Sequence, residues 1–393
     1  PADPGHGPWM SRPMRSDFGL PSLEQAIGQA AHDFVQCFTG QSVYLTRAER
    51  KDGAPTVTSR WLLRLNAVLQ ALGRNIEELS FAEVDAWHAA LMRQDGDAQP
   101  VSRPEPRPPA SARPTSLAVT SIGRWMRDPY SLYASHILRL QKLNPVEEDA
   151  SALDQGNFIH KVLEEFTKAH RDTLPGDAAD QILALAEEIK KDWPEVQNIP
   201  NFWWPRCARA LTWFVDHEQG WRKSGHRPKV IESEGKIDWD GFALRATADR
   251  IDNTALGDKI IIDYKTGTPP SKQDMVAGWE PQLPLEALIV QNGGWEGAEG
   301  RVSDLQIWRV TGGTPAGEIH THEKIFDAAL SAAEDGLSKL IKAFESAETP
   351  YYSLPNPAAA PDKNRQDYAH LARVAEWELG IAAPKAVRGE QNG

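Results

Sequence analysis

Ile260-Ile261-Ile262-Asp263-Tyr264-Lys265-Thr266-Gly267 is the stretch that decides the fold of this chain. An apolar run ending in Asp-x-Lys predicts a buried strand whose tip carries a carboxylate and an ammonium. Side chains alternate along a strand, so Asp263 and Lys265 share a face and Tyr264 points the other way. A carboxylate can hold a divalent metal, and a lysine beside it can orient or deprotonate a water. Those groups suit hydrolysis of a phosphodiester.

Working outward, Asp240-Gly241 is a tight hairpin signal and Leu256-Gly257-Asp258 marks a second reversal. Together they predict an antiparallel meander of three strands over 229–238, 242–252 and 259–265. On the middle strand, residues 243, 245, 247, 249 and 251 are expected on one face, with Asp249 near the end. Asp249, Asp263 and Lys265 then converge at one edge of the sheet. Such oxygen ligands suit Mg²⁺ or Mn²⁺. A metal there would polarise a phosphate and make hydroxide available near neutral pH, while Lys265 offsets charge building on the phosphate oxygens.

Two helices add to this set. Phe158, Ile159, Val162, Leu163 and Phe166 give an apolar helical face over 157–168. That helix presents His160 and Glu164 on one side, the imidazole as a further metal ligand and Glu164 as its support or a minor ligand. A helix over 274–291 carries Gln282 and Glu286 at the same spacing. Taken singly, each residue has an ordinary reading as a strand-end ion pair, a hairpin salt bridge or a core histidine. Their joint order along the chain carries the argument.

The rest of the sequence sets bounds. At 393 residues the chain calls for two or more domains, and its net charge of -12 argues against a broad basic surface for nucleic acid. No apolar stretch approaches the roughly 20 residues that span a bilayer, and nothing signals secretion. Cys37 and Cys207 are too few for a four-thiolate zinc or iron–sulfur site and are expected as buried free thiols. The first residue is Pro1, so the chain reads as part of a longer polypeptide or a trimmed one. It contains no Gly-x-x-x-x-Gly-Lys-[Ser/Thr] phosphate loop, so no ATP hydrolysis of its own is expected.

Residues 101–114 (VSRPEPRPPASARP) are too rich in proline for helix or central strand and are expected to be a solvated linker. Before it, helices are expected over 22–38, 59–72 and 81–92, with a short strand at 43–46. Beyond it, Ser121 or Thr120 is expected to cap a helix. Further helices are expected over 178–192, 207–221 and 323–347, with a strand over 302–310. A tail from 350 to 393 has a helical patch from Tyr368 to Leu379.

Four pieces in order resemble the RecB-family nuclease domain of the PD-(D/E)XK superfamily. They are Gly156-Asn157-Phe158-Ile159-His160, Ala248-Asp249-Arg250-Ile251-Asp252, Asp263-Tyr264-Lys265-Thr266-Gly267 and Gln282-Leu283-Pro284-Leu285. The resemblance implies an α/β fold with a mixed central sheet flanked by helices over 115–349. It implies His160, Asp249, Asp263 and the backbone carbonyl of Tyr264 as ligands to Mg²⁺ or Mn²⁺. Lys265 would be the catalytic lysine and Gln282 an accessory glutamine. The tyrosine that many members carry four residues after this glutamine is Glu286 here.

Val43–Arg50 with Ser59-Arg60-Trp61-Leu62 looks like the end of a superfamily 1 helicase-like region, so 1–100 is expected to be a partial one. Asp128–Tyr133 looks like the entry to the nuclease domain, and Tyr368–Trp377 resembles the C-terminal end of the alphaproteobacterial type of AddB double-strand-break repair subunit. The iron–sulfur cysteines of other AddB proteins are missing, so no cluster is expected. The resemblance implies a bacterial cytoplasmic, nucleoid-associated DNA nuclease, acting on a single strand from a broken end with an AddA-like helicase–nuclease partner. A non-catalytic DNA-binding scaffold of the same fold is the alternative.

Overall fold

The computed structural model describes residues 10–51, 53–81, 83–93, 101–143, 151–193, 203–356, 359–360 and 366–377. The chain divides into two compact units, Pro1–Ala98 and Gln99–Gly393. The first holds helices Leu23–Phe38, Arg60–Ala71 and Glu83–Leu91, beside a minimal antiparallel pair, Arg50–Lys51 with Ala54–Pro55. Ser22 and Gln25 satisfy each other's amides in a capping box at the start of the first helix. The strand expected at 43–46 is not formed; those residues are a loop and the pairing falls further on.

The second unit is built on a mixed six-stranded sheet. Its strands are β1 (Ser116–Ala118), β2 (Arg227–Trp239), β3 (Phe242–Asn253), β4 (Lys259–Lys265), β5 (Val302–Val310) and β6 (Gly317–Thr321). β2, β3 and β4 form the antiparallel meander that the two turn signals predict. One edge of β3 pairs with β2. Its other edge is shared, with β1 parallel at 243–245 and β4 antiparallel at 250–253. β5 runs parallel to β4, and β6 returns antiparallel.

Helices cover both faces, and this explains the unbroken Ile-Ile-Ile run: a strand buried on both sides has no polar face. On one side, α1 (Val119–Arg127), α5 (Gln282–Gln291) and α6 (Phe326–Glu345) pack over Leu244, Ile261 and Ile307. On the other, α2 (Ala152–Ala169), α3 (Ala178–Lys191) and α4 (Trp204–Lys223) pack over Ile260, Ile262, Tyr264 and Trp308. Tyr264 thus leaves the face of Asp263.

Several boundaries differ from expectation. α2 starts before residue 157, where Ser151 and Asp154 form a second capping box. α1 begins at Val119 with no side-chain cap, so neither Ser121 nor Thr120 fills that role. The helix expected over 274–291 is two, Lys272–Val276 and α5, because Gly278 takes a φ of 78° and Pro281 stands before Gln282. A single helical turn, Glu323–Ile325, precedes α6. Of the patch expected over 368–379, Val374–Trp377 is helical, and Leu379 lies outside the described residues.

The 101–114 stretch is not a solvated tether. Arg113 is buried and donates to the carbonyls of Pro108, Phe344, Ser346, Ala347 and Thr349. Arg103 lies over the rings of Tyr352 and Trp377. Cys207 is buried, its thiol pushed up to about 12 by desolvation, whereas Cys37 is exposed rather than buried.

Candidate active site

The last rung between β3 and β4 is Arg250↔Ile262. Asp249 and Asp263 are the next residues on each strand, so both lie where the two strands part. Across that opening the Tyr264 amide donates to Asp249 Oδ2 at 2.8 Å. From α2, His160 brings Nδ1 to 3.5 Å from the same oxygen. Lys265 Nζ donates to Asp263 Oδ1 at 2.9 Å, and Gln282 Nε2 reaches that oxygen at 3.2 Å. His160, Asp249, Asp263, Lys265 and Gln282 therefore gather at one end of the sheet. Most line a cleft of about 680 Å³, whose walls also include Gly156, Asn157 and Thr266.

One residue was missed by the sequence reading. Glu232 of β2 stands with His160 and Asp249, and their ligand atoms all lie within 4.8 Å of one another. Asp263 stands outside that trio. Glu232 has a φ of 44°, a left-handed conformation that costs a side-chain-bearing residue about 1–2 kcal/mol. Opposite it the alternation of β3 slips: Ala246, Ala248 and Ile251 face one core, while Arg250 turns to the other side. The expectation that 243 to 251 share a face therefore fails at Ile251. Backbone strain of this kind gathers at functional sites.

Electrostatics single out the same place. Burial, with the charges of Asp249 and Glu164, pushes the Glu232 carboxyl up to about 7. Burial and the neighbouring Asp249 push Asp263 up to about 6, against the pull of Lys265. Glu286, beside Gln282 at 3.2 Å, is driven well above the carboxylate range by burial, Asp263 and Asp249. Burial disfavours protonation of His160, but the hydrogen bond to Asp249 and the charges of Asp249 and Asp263 together outweigh this and raise it. For Lys265 desolvation is likewise overcome, here by Asp263. Glu164 is held by Lys161 at 3.0 Å and by Lys168, so it is engaged in ion pairs on its own helix.

These carboxyls crowd one another, and Asp263 Oδ2 is buried with no hydrogen-bond partner. A cation resolves both conditions at once. The donor set of one imidazole and several carboxylate oxygens suits a hard divalent ion. Asp249, Glu232 and His160 would hold it, with Asp263 as a further carboxylate at the same end of the sheet.

Residues 116–376 match the PD-(D/E)XK nuclease superfamily, and the chain belongs to that superfamily. An uncharacterized protein of Rickettsia felis is 27% identical over 307 residues, covering 73% of this chain and 34% of the relative. One of Rickettsia bellii is 30% identical over 186 residues, covering 46% of this chain and 22% of the relative. The chain thus spans about a third or less of the length of these curated relatives. A solved structure from Eubacterium rectale, named as a candidate exonuclease, aligns over 64% of this chain and 89% of its own. Its sequence identity is 11% and its TM-score 0.39. Among the described residues, no helix is long and apolar enough to cross a membrane.

Proposed function

We propose that this chain is the nuclease part of a DNA-end-processing enzyme, hydrolysing phosphodiesters of a single strand with Mg²⁺ or Mn²⁺. The observation that carries the reading is the meeting of Asp249, Asp263, Glu232, His160 and Lys265 where β3 and β4 separate. A divalent ion bound there would polarise the phosphate and lower the pKa of a water.

The chain's own groups have separable tasks. Asp249, Glu232, His160 and Asp263 bind the ion, with the Tyr264 carbonyl as a further donor. Lys265 carries its proton beside Asp263, so it serves to hold a water or a phosphate oxygen and to offset negative charge, rather than as a resting base. Gln282 fixes Asp263 Oδ1 from α5. The cleft beside Thr266 and Asn157 gives the strand a place to lie.

The finer reading is an AddB-type subunit of a helicase–nuclease that resects double-strand breaks. The AddA-like partner would supply ATP-driven unwinding, and residues 1–100 would be the end of a helicase-like region. The motif order and the greater length of the relatives support it.

The test is cleavage of an end-labelled single-stranded oligonucleotide by the purified chain with Mg²⁺ or Mn²⁺. The wild type should cut and Asp263→Ala should not. Equal cutting by the two proteins sinks the assignment, and a folded wild type that binds DNA without cutting it favours the scaffold alternative. Co-elution with an AddA-like subunit on size exclusion tests the finer reading.

A further inference from the structure

Arg250 follows Asp249 in the chain, and its side chain is fully buried beneath α4. Nε and Nη2 donate to Asp252 Oδ1 and Oδ2, both at 2.6 Å. Nη1 and Nη2 donate to the two oxygens of Glu218, from α4, at 2.8 and 2.9 Å. Nη1 also lies 3.4 Å from Tyr264 Oη, and the guanidinium stands 5.2 Å from the centroid of the Trp308 ring. Arg222 holds Glu218 at 2.6 Å, and Trp221 Nε1 donates to Asp252 Oδ2 at 2.7 Å.

Two guanidiniums face two carboxylates, so the set is balanced in charge. Stability alone gives a weak account of it, because well-packed apolar residues commonly do as well as a buried ion set or better. Geometry gives a stronger one. A guanidinium is a planar fork that fixes two carboxylates in direction as well as distance. The two segments it grips are those that carry the metal donors. Asp249 is its chain neighbour. Tyr264 sits between Asp263 and Lys265, and its amide donates to Asp249.

We infer that Arg250, locked by Glu218 and Asp252, is a positioning residue that sets Asp249 and the 264 backbone at the spacing the cation requires. This rests on the nuclease reading above. Arg250 is fully buried, and it acts through its chain neighbour and through Tyr264. Partners that orient metal ligands typically contribute about 10–100-fold in affinity or activity.

The experiment compares wild type, Glu218→Gln, Arg250→Lys and Arg113→Lys in the full chain. Mn²⁺ binding is read by calorimetry, and kcat and KM on a single-stranded oligonucleotide are read across a Mn²⁺ titration. Arg113 is the control, a second buried arginine that donates to backbone carbonyls away from the site. Glu218→Gln and Arg250→Lys should raise the half-saturating Mn²⁺ concentration by about 10-fold or more. KM for the oligonucleotide should stay put, and excess Mn²⁺ should restore much of kcat. Arg113→Lys should lower Tm without moving the Mn²⁺ requirement.

Should Arg250→Lys fail to fold, Glu218→Gln decides, since it keeps shape and leaves the Arg250–Asp252 pair intact. Unchanged Mn²⁺ affinity in folded Glu218→Gln overturns the inference while leaving the nuclease reading in place, and so does an equal shift in Arg113→Lys. A wild type that neither binds Mn²⁺ nor cleaves overturns the nuclease reading and this inference with it.

Discussion

The main-chain amide of Tyr264 donates to Asp249 Oδ2 at 2.8 Å, tying β4 to β3 one step beyond their last rung. A side-chain carboxylate here continues a backbone ladder that has otherwise stopped. The same oxygen faces His160, so one atom both holds the strands and belongs to the site.

Lys265→Ala should reduce cleavage by about 10²–10³-fold, the usual effect of removing one group aimed at developing charge. Lys265 is partly exposed and ends its strand, so the fold should survive. Oligonucleotide cleavage with Mn²⁺ in excess, beside a circular dichroism melt, checks both halves.

Glu232→Gly separates stability from function. Glycine adopts positive φ without penalty, so the substitution relieves the strain at this position, offset in part by a more flexible unfolded chain. Tm should hold or rise while Mn²⁺ affinity and cleavage fall about 10-fold or more, by analogy with lost ligand support. Calorimetry against a thermal melt reads the two effects apart.

Acidity should act on the metal-free protein through Glu232 and Asp263. Their folded values of about 7 and about 6 lie above the ordinary 4.5 and 3.8. For a raised carboxyl, the stabilisation is complete below the unfolded value and is lost as pH rises through the folded one. In chelator, Tm of the wild type should fall between about pH 5 and 8 more steeply than that of Glu232→Gln. Mn²⁺ binding should tighten over the same interval, because the ligands must shed protons.

Gly235→Ala should destabilise without touching the chemistry. A Cβ there would lie 2.2 Å from the ring of buried Trp295, whose indole nitrogen is fixed on the Ser233 carbonyl at 3.0 Å. Overpacking of this kind costs about 1–3 kcal/mol. Urea titration should show the loss, and the Mn²⁺ requirement of the folded fraction should be unaltered.

The meander was legible because its two turns and its apolar runs are local signals, and the tip of β4 declared itself through Asp263 and Lys265. Glu232 was not, because a glutamate within a strand has no distinctive pattern. A usable signal existed: counting rungs back from Trp239↔Phe242 at the Asp240-Gly241 turn sets Glu232 opposite Asp249. The slip in alternation at 249–250 was hidden, since it stands opposite a left-handed residue on the neighbouring strand that no local pattern announces. The packing of 101–114 was hidden too. Proline content reports what a segment cannot form, and four of the five carbonyls that engage Arg113 lie more than two hundred residues away.

The candidate site is drawn from His160 on α2, Glu232 on β2, Asp249 on β3, Asp263 on β4 and Gln282 on α5. None of these elements holds a working set by itself. A chain still leaving the ribosome, or one unravelled by stress, carries all the letters of a cutting enzyme and no blade. On the nuclease reading proposed above, cleavage begins only after the sheet has closed.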